Sequence, residues 1–295
     1  MSFSEEYAER TAFAEKTVRS FLPEGEGYLK GLFDASDYSV LVGGKRLRPM
    51  IMKAAFDACG GEGDVVLPFM AALEMIHASS LVHDDLPCMD NDELRRGNLT
   101  TWKKFGEDTA VLVGDDLLVF AFETAAKAFP LSDSPQTVGE AISILAHKAG
   151  RYGMIGGQSV DVASTGEALS EEKLDFIYRL KTSALVEAAM MIGTLLAGAD
   201  SVAVGHAEKA GSAFGMAFQI RDDILDVIST SEELGKPVLS DEKNNKTTTV
   251  TLWGLEKANR MVEEYSRQAM DELSALPGDT AFLKELFTAM ITRRK

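Results

Sequence analysis

The chain has 295 residues, 45% of them hydrophobic, with 46 acidic side chains against 30 basic ones and a formal charge of −16. That length can bury a sizeable core, while so acidic a balance argues against nucleic acid or an anionic membrane as the partner. The two cysteines, Cys59 and Cys88, are too few for a disulfide framework and lack zinc-ligand spacing, which points to a reducing, cytoplasmic compartment.

Ala, Leu, Met, Glu and Lys dominate, and apolar residues recur at three and four positions, so the fold class is all-α. The start, "MSFSEEYAERTAF", is polar and acidic, unlike a secretory signal or a transit peptide. A first helix is predicted over 2–22 and a second over 44–59, opened by "GGKRLRP" at 43–49. This is not a P-loop, because GxxxxGK[ST] is absent. Glycines leading into a helix start nonetheless turn backbone N–H groups and the helix dipole toward an anion, with Lys45 and Arg48 three apart to flank it.

The third helix, predicted over 64–86, carries His77, Ser80 and Asp84 as one polar stripe on an apolar surface. It runs into "SSLVHDDLPCMDND", which sets Asp84, Asp85, Asp90 and Asp92 close together. Clustered carboxylates repel one another and resist leaving water, so packing alone would not select them, and a cation between them is implied. Pro87 cannot donate the backbone bond a helix expects, so the helix must bulge or end there, which lets Asp90 swing back toward Asp84. Arg95 and Arg96 follow at once.

Helices are then predicted over 106–129, 134–163, 170–199 and 201–230. "GDDLL" at 114–118 is a weaker acidic group, equally at home on a solvated helix face. "ALVEAAMMIGTLLAGA" is interrupted by Glu187 and is shorter than the roughly 18–20 apolar residues of a membrane-spanning helix, so no span is expected. In "FQIRDDILD", Asp222 and Asp226 lie one turn apart on a helix, with Gln219 on the adjoining turn and Asp223 beside them. Such a face suits Mg²⁺, which takes one or two carboxylates and completes its octahedron with water and phosphate oxygens. Residues 231–249 lack periodicity, and helices over 254–274 and 279–292 complete the chain. With no long Pro/Gly/Ser linker and no solenoid repeat, residues 1–295 read as a single domain.

"GGKRLRP", "DDLPCMD" followed by "RRG", "GGQSVD" at 156–161, "KT" at 181–182, "FQIRDDILD" and a loop with GK, D and KT occur in the order of one family. Over residues 43–250 the chain resembles the trans-isoprenyl (polyprenyl) diphosphate synthases. The resemblance implies an isoprenoid synthase helical bundle around a central cavity and a homodimer. It further implies head-to-tail condensation of isopentenyl diphosphate with an allylic diphosphate (dimethylallyl, geranyl or farnesyl). Roughly three Mg²⁺ ions, or Mn²⁺ in their place, would bridge the allylic diphosphate.

Carried onto this chain, Asp84, Asp85 and Asp90 resemble one metal-binding wall, and Asp222, with Asp223 and Asp226, the other. Arg95, Lys181, Lys236 and Lys246 resemble the residues that hold the allylic diphosphate. Lys45, Arg48, His77 and Arg96 resemble the isopentenyl diphosphate pocket, and Gln219 and Thr182 the groups beside the developing cation. "ITRRK" at the end is similar to the basic tail that caps some members' sites. The chain departs from the family in "GKPVLSDEKNNKTTTV", where Leu239 and Asn245 replace glycines and Thr249–Val250 replace Tyr-Pro. Ser79 and Ser80, small residues one turn below Asp84, together with the Pro-containing first motif resemble geranylgeranyl diphosphate synthases; farnesyl diphosphate synthase is the alternative. A class I terpene cyclase is disfavoured by "DDILD" and "GGKRLRP", and a non-catalytic partner subunit by two intact acidic motifs.

Overall fold

The computed structural model describes residues 2–228 and 247–293. Their regular structure is helical except for a two-stranded antiparallel hairpin, β1 (Leu94–Arg95) and β2 (Asn98–Leu99), paired Leu94 to Leu99 and Arg95 to Asn98. Two compact units emerge, residues 1–53 with 62–142, and residues 54–61 with 143–295.

In the first unit, α1 (Phe3–Ser20) starts from a capping box in which the Ser2 hydroxyl accepts from the Glu5 N–H and the Glu5 carboxylate accepts from the Ser2 N–H. Next come α2 (Lys30–Leu41), the start of α3 (Leu47–Ala58), and α4 (Leu67–Asp84) with proline in its first turn. The core of the unit is α4: Phe69, Met70, Leu73, Met75 and Ile76 are fully buried, each worth about 1.5–3 kcal/mol of transfer free energy. After the hairpin, α5 (Thr101–Phe105) and α6 (Glu107–Ala126) return, and α6 packs along α4. Gly114 permits this approach, since a Cβ there would lie 2.0 Å from the His83 ring.

In the second unit, α7 (Pro135–Ala149, which begins in the first) gives way to α8 (Met154–Ala163) and α9 (Glu171–Ile177). A π-helical turn, Tyr178–Ser183, leads into α10 (Ala184–Leu196). The long α11 (Ser201–Ile228) packs on α10 and on α12 (Thr249–Ser274), and α13 (Ala281–Ile291) stacks Phe287 on Phe214 with ring centroids 3.9 Å apart. Lys148 pairs with the buried Glu187 and, at 2.6 Å, with Glu208, tying α7 to α10 and α11.

Four expectations change. Helix α2 falls where no helix was predicted; its weak formers are held by tertiary bonds, Ser36 to Asp116 at 2.7 Å and Ser39 to Thr101 at 2.8 Å. The helix predicted over 134–163 breaks between Ala149 and Met154, and that over 170–199 contains the π-helical turn. The last long helix begins at Thr249, with a non-helical kink at Gly254. No helix among the described residues is long and apolar enough to cross a membrane.

Candidate active site

The acidic motif of the first unit sits where α4 stops. Asp84 is its last residue and Asp85 its C-cap, and the Asp90 N–H donates to the Asp84 carbonyl at 2.9 Å, so the chain after Pro87 folds back as its proline suggests. Asp85 is buried, and the Arg95 Nε donates to its two oxygens at 2.8 and 3.0 Å. Burial raises the Asp85 pKa against the opposing pull of Arg95. Burial also works against the charge on Arg95, but hydrogen bonds to Asp85 overcome it and leave the arginine's pKa raised. Strand β1 thus hands Arg95 back to the carboxylate at the helix end.

Beside it lies a concentration of positive charge. Arg96, in a left-handed conformation (φ 53°), donates to the Gly43 carbonyl, and its guanidinium occupies the space a Cβ on Gly44 would need. Lys45 is exposed and Arg48 half-buried, with the Arg48 Nε buried and without a hydrogen-bond partner. Burial, then the charges of Arg48, Arg96, Arg95 and Arg46, hold the His77 pKa well below 6.5, so its imidazole is neutral at pH 7. Lys45, Arg48, His77 and Arg96, expected to act together, share one unit, and the charges of Arg48 and Arg96 reach His77.

Ser79 differs from expectation. It is buried and donates to the Gly114 carbonyl of α6 at 2.8 Å, because five residues of helix carry it well round from the Asp84 face. Ser80, half-buried and donating to the His77 carbonyl at 2.8 Å, is the serine on Asp84's own face.

The second unit gathers the other group around the π-helical turn. Gly157 lets α8 press against it, for a Cβ there would lie 2.4 Å from the Lys181 backbone nitrogen; one turn on, Asp161 accepts from Lys181 Nζ at 2.6 Å. The motif "GGQSVD" thus acts through Lys181, a link its spacing did not disclose. Thr182 donates to Gln219 Oε1 at 2.8 Å, and Gln219 Nε2 donates to Asp223 Oδ1 at 3.2 Å. Asp223 Oδ2 accepts from the Tyr178 hydroxyl (2.6 Å), the Thr249 hydroxyl (2.6 Å) and the Thr249 N–H (3.0 Å). Burial pushes the Asp223 pKa up to about 6 despite these donors. Asp161, Tyr178, Lys181, Thr182, Gln219 and Asp223 line a cavity of about 120 Å³.

Asp222, half-buried, is paired with Arg293, whose guanidinium also stacks on Phe218 at 3.9 Å. Asp226 is buried on the same helix. Lys236 and Lys246 lie outside the described residues. Among the described residues no three His, Cys, Asp or Glu side chains form a ready metal cage. The donor set still fits Mg²⁺, a hard cation that needs only one or two carboxylates and draws its other oxygens from water and phosphate.

Arg46 belongs to the basic run at 43–49, but its partners Glu15 and Glu74 were not apparent in the sequence. Arg46 is buried, bonded to Glu15 and, at 2.7 Å, to Glu74. A lone glutamate inside the apolar run "LPFMAALEMI" was the available signal.

The polyprenyl synthetase family profile matches residues 30–282. The large subunit 1 of the chloroplastic heterodimeric geranylgeranyl pyrophosphate synthase of Arabidopsis thaliana is 45% identical, over 84% of this chain and 68% of its own length. A geranylgeranyl diphosphate synthase of Cyanophora paradoxa is 40% identical, over 90% of this chain and 88% of its own length. An apo FPP/GFPP synthase from Zymomonas mobilis superposes with a TM-score of 0.88 at 29% identity, covering 98% of this chain and 99% of that one. A geranyltransferase from Helicobacter pylori, complexed with magnesium and isoprenyl diphosphate, superposes with a TM-score of 0.85 at 32% identity, covering 99% and 97%. With both acidic motifs in the sequence, the family profile over most of the chain and the all-α isoprenyl synthase fold, the chain belongs to the polyprenyl synthetase family and is a prenyltransferase.

Proposed function

We propose that this prenyltransferase condenses isopentenyl diphosphate with allylic diphosphates, in steps, to geranylgeranyl diphosphate. The observation that carries the reading is Arg48, whose buried Nε has no protein partner beside a neutral His77, in a chain with a net charge of −16. A buried guanidinium N–H left without an acceptor in so acidic a protein is best explained by an anionic ligand. Lys45, Arg48, His77 and Arg96 bind the diphosphate that stays attached; Asp84, Asp90, Asp222 and Asp226 serve the one that leaves.

Magnesium, or manganese in its place, at roughly three positions would act as a Lewis acid on the departing diphosphate. Asp85 and Asp223, whose oxygens are taken up by Arg95 and by Tyr178, Thr249 and Gln219, act as supports within their acidic motifs. Lys181, oriented by Asp161, together with Arg95, Lys236 and Lys246, stabilises negative charge on the leaving group. Thr182 and Gln219 face the developing allylic cation. The carboxylate of Asp223 accepts from the Gln219 amide nitrogen, the amide oxygen accepts from Thr182, and the Thr182 oxygen keeps its lone pairs for positive charge. Apolar walls exclude the water that would quench that cation. The isopentenyl double bond attacks, and the released diphosphate takes the final proton.

Ser80, small and on the Asp84 face, supports a deep pocket and a twenty-carbon product, in agreement with the names of the relatives. The family profile runs through both compact units, which supports one functional domain spanning residues 1–295. Exposed Val111, Leu112 and Val119 on α6 support a homodimer, and two free cysteines support the cytoplasm.

The test is to incubate the purified protein with labelled isopentenyl diphosphate, Mg²⁺ and each allylic primer in turn, and to chromatograph the dephosphorylated products. Geranylgeraniol is expected. A farnesol end point would overturn the product assignment, and no chain growth from any primer would overturn the activity.

A further inference from the structure

Glu74 is 4% exposed on the most apolar stretch of α4, between the fully buried Leu73 and Met75. Its carboxylate accepts from Arg46 Nη1 at 2.7 Å, while Arg46 Nε is paired with Glu15 of α1. Arg46 is itself 3% exposed and holds a left-handed backbone (φ 47°), a costly conformation for a long side chain. Its carbonyl accepts the first helical bond of α3, from the Met50 N–H at 3.1 Å. A buried charge persists only when paired, and a strained backbone only when its surroundings over-determine it. The two glutamates pair the charge through Nε and Nη1, while Nη2 is buried without a hydrogen-bond partner. Arg46 is flanked by Lys45 and, two residues on, Arg48.

We propose that Glu74, assisted by Glu15, is a positioning residue for the isopentenyl diphosphate pocket: it anchors Arg46 in the backbone shape that sets Lys45 and Arg48 at the start of α3. The inference rests on the assignment of that pocket given above. Glu74 has a second effect through space, since its negative charge favours the protonated forms of Arg48 and Arg96, which burial and mutual repulsion oppose. The same helix carries His77 one turn later and Asp84 at its end, so one rigid element fixes the arginine pocket relative to the first acidic motif.

The test is Glu74→Gln in the full-length enzyme. The KM for isopentenyl diphosphate is expected to rise about tenfold or more, while the KM for the allylic primer, the half-saturating Mg²⁺ concentration and kcat change less than about threefold. Glu74→Asp should recover part of the loss, and Glu15→Gln should show the same selective effect at smaller size. Equal rises in both KM values, or none, would overturn the proposal by reducing the clamp to general stability. If Glu74→Gln does not fold, an unchanged KM in Glu15→Gln overturns it. Titration of inorganic pyrophosphate in EDTA separates this inference from the activity itself. About tenfold weaker binding by the variant supports the clamp even if the wild-type enzyme extends no primer, and equal affinity overturns it.

Discussion

Gln219 and Asp223 stand one turn apart on α11 and share a hydrogen bond of 3.2 Å that settles which way the Gln219 amide points. An ionised carboxylate only accepts, so the NH₂ must face Asp223 and the carbonyl must face Thr182. In Asp223→Asn the new amide must turn its own NH₂ toward Gln219 or toward Tyr178 and Thr249, and one set of donors loses its acceptor. A kcat lower by on the order of ten- to a hundredfold is expected, with half-saturating Mg²⁺ nearly unchanged. Steady-state kinetics at varied Mg²⁺ measures both; a large rise in the Mg²⁺ requirement would instead make Asp223 a metal ligand.

His77 gives a pH dependence whose sign follows from its surroundings. Its folded pKa lies below the unfolded value of about 6.5, so below that pH the unfolded chain binds a proton that the native state refuses. This contribution to stability is complete above about pH 6.5 and is lost as pH falls, with a slope of at most about 1.4 kcal/mol per pH unit. Denaturant titrations of wild type and His77→Gln between pH 7 and 5 should differ in slope by part of that amount. Parallel curves would remove the electrostatic account.

Arg293 is paired with Asp222, an acid proposed above to serve the departing diphosphate. It is nearly buried, yet Asp222 is 45% exposed, which limits the pair to about 0.5–1 kcal/mol. Arg293→Ala should therefore lower half-saturating Mg²⁺ by about two- to fivefold in metal-dependence assays. A higher Mg²⁺ requirement in the variant would show that the arginine supports the metal site.

Product length separates the two serines. Ser80→Phe, on the Asp84 face, should shift the product from geranylgeranyl toward farnesyl diphosphate. Ser79→Tyr meets α6 at Gly114 and loses its 2.8 Å hydrogen bond, so it should cost about 1–3 kcal/mol in stability. Product chromatography and thermal melts distinguish the two effects, and a short product from Ser79→Tyr with an unchanged melting temperature would reverse the assignment.

The acidic and basic motifs were legible because their residue types have few purposes besides meeting opposite charge, and Pro87 announced the end of α4. Side-chain commitments were not legible. Asp85 and Asp223 look like their neighbours in sequence, and only the fold shows Arg95 curling back to one and Thr249 arriving at the other. Helix α2 escaped notice because Gly31, Ser36, Asp37 and Ser39 are weak helix formers that rely on tertiary bonds. The π-helical turn at Tyr178–Ser183 adds a single residue to the helical register, too small a slip for a hydrophobic pattern to reveal.

The hydrogen bond from the Asp90 N–H to the Asp84 carbonyl closes a short ring through Pro87. That ring works as a calliper: the span between the two acids is fixed by how many links it contains. Shortening or lengthening it by one residue would keep every acid yet put them out of step, so insertions and deletions there should be tolerated far less than substitutions at Cys88 or Met89.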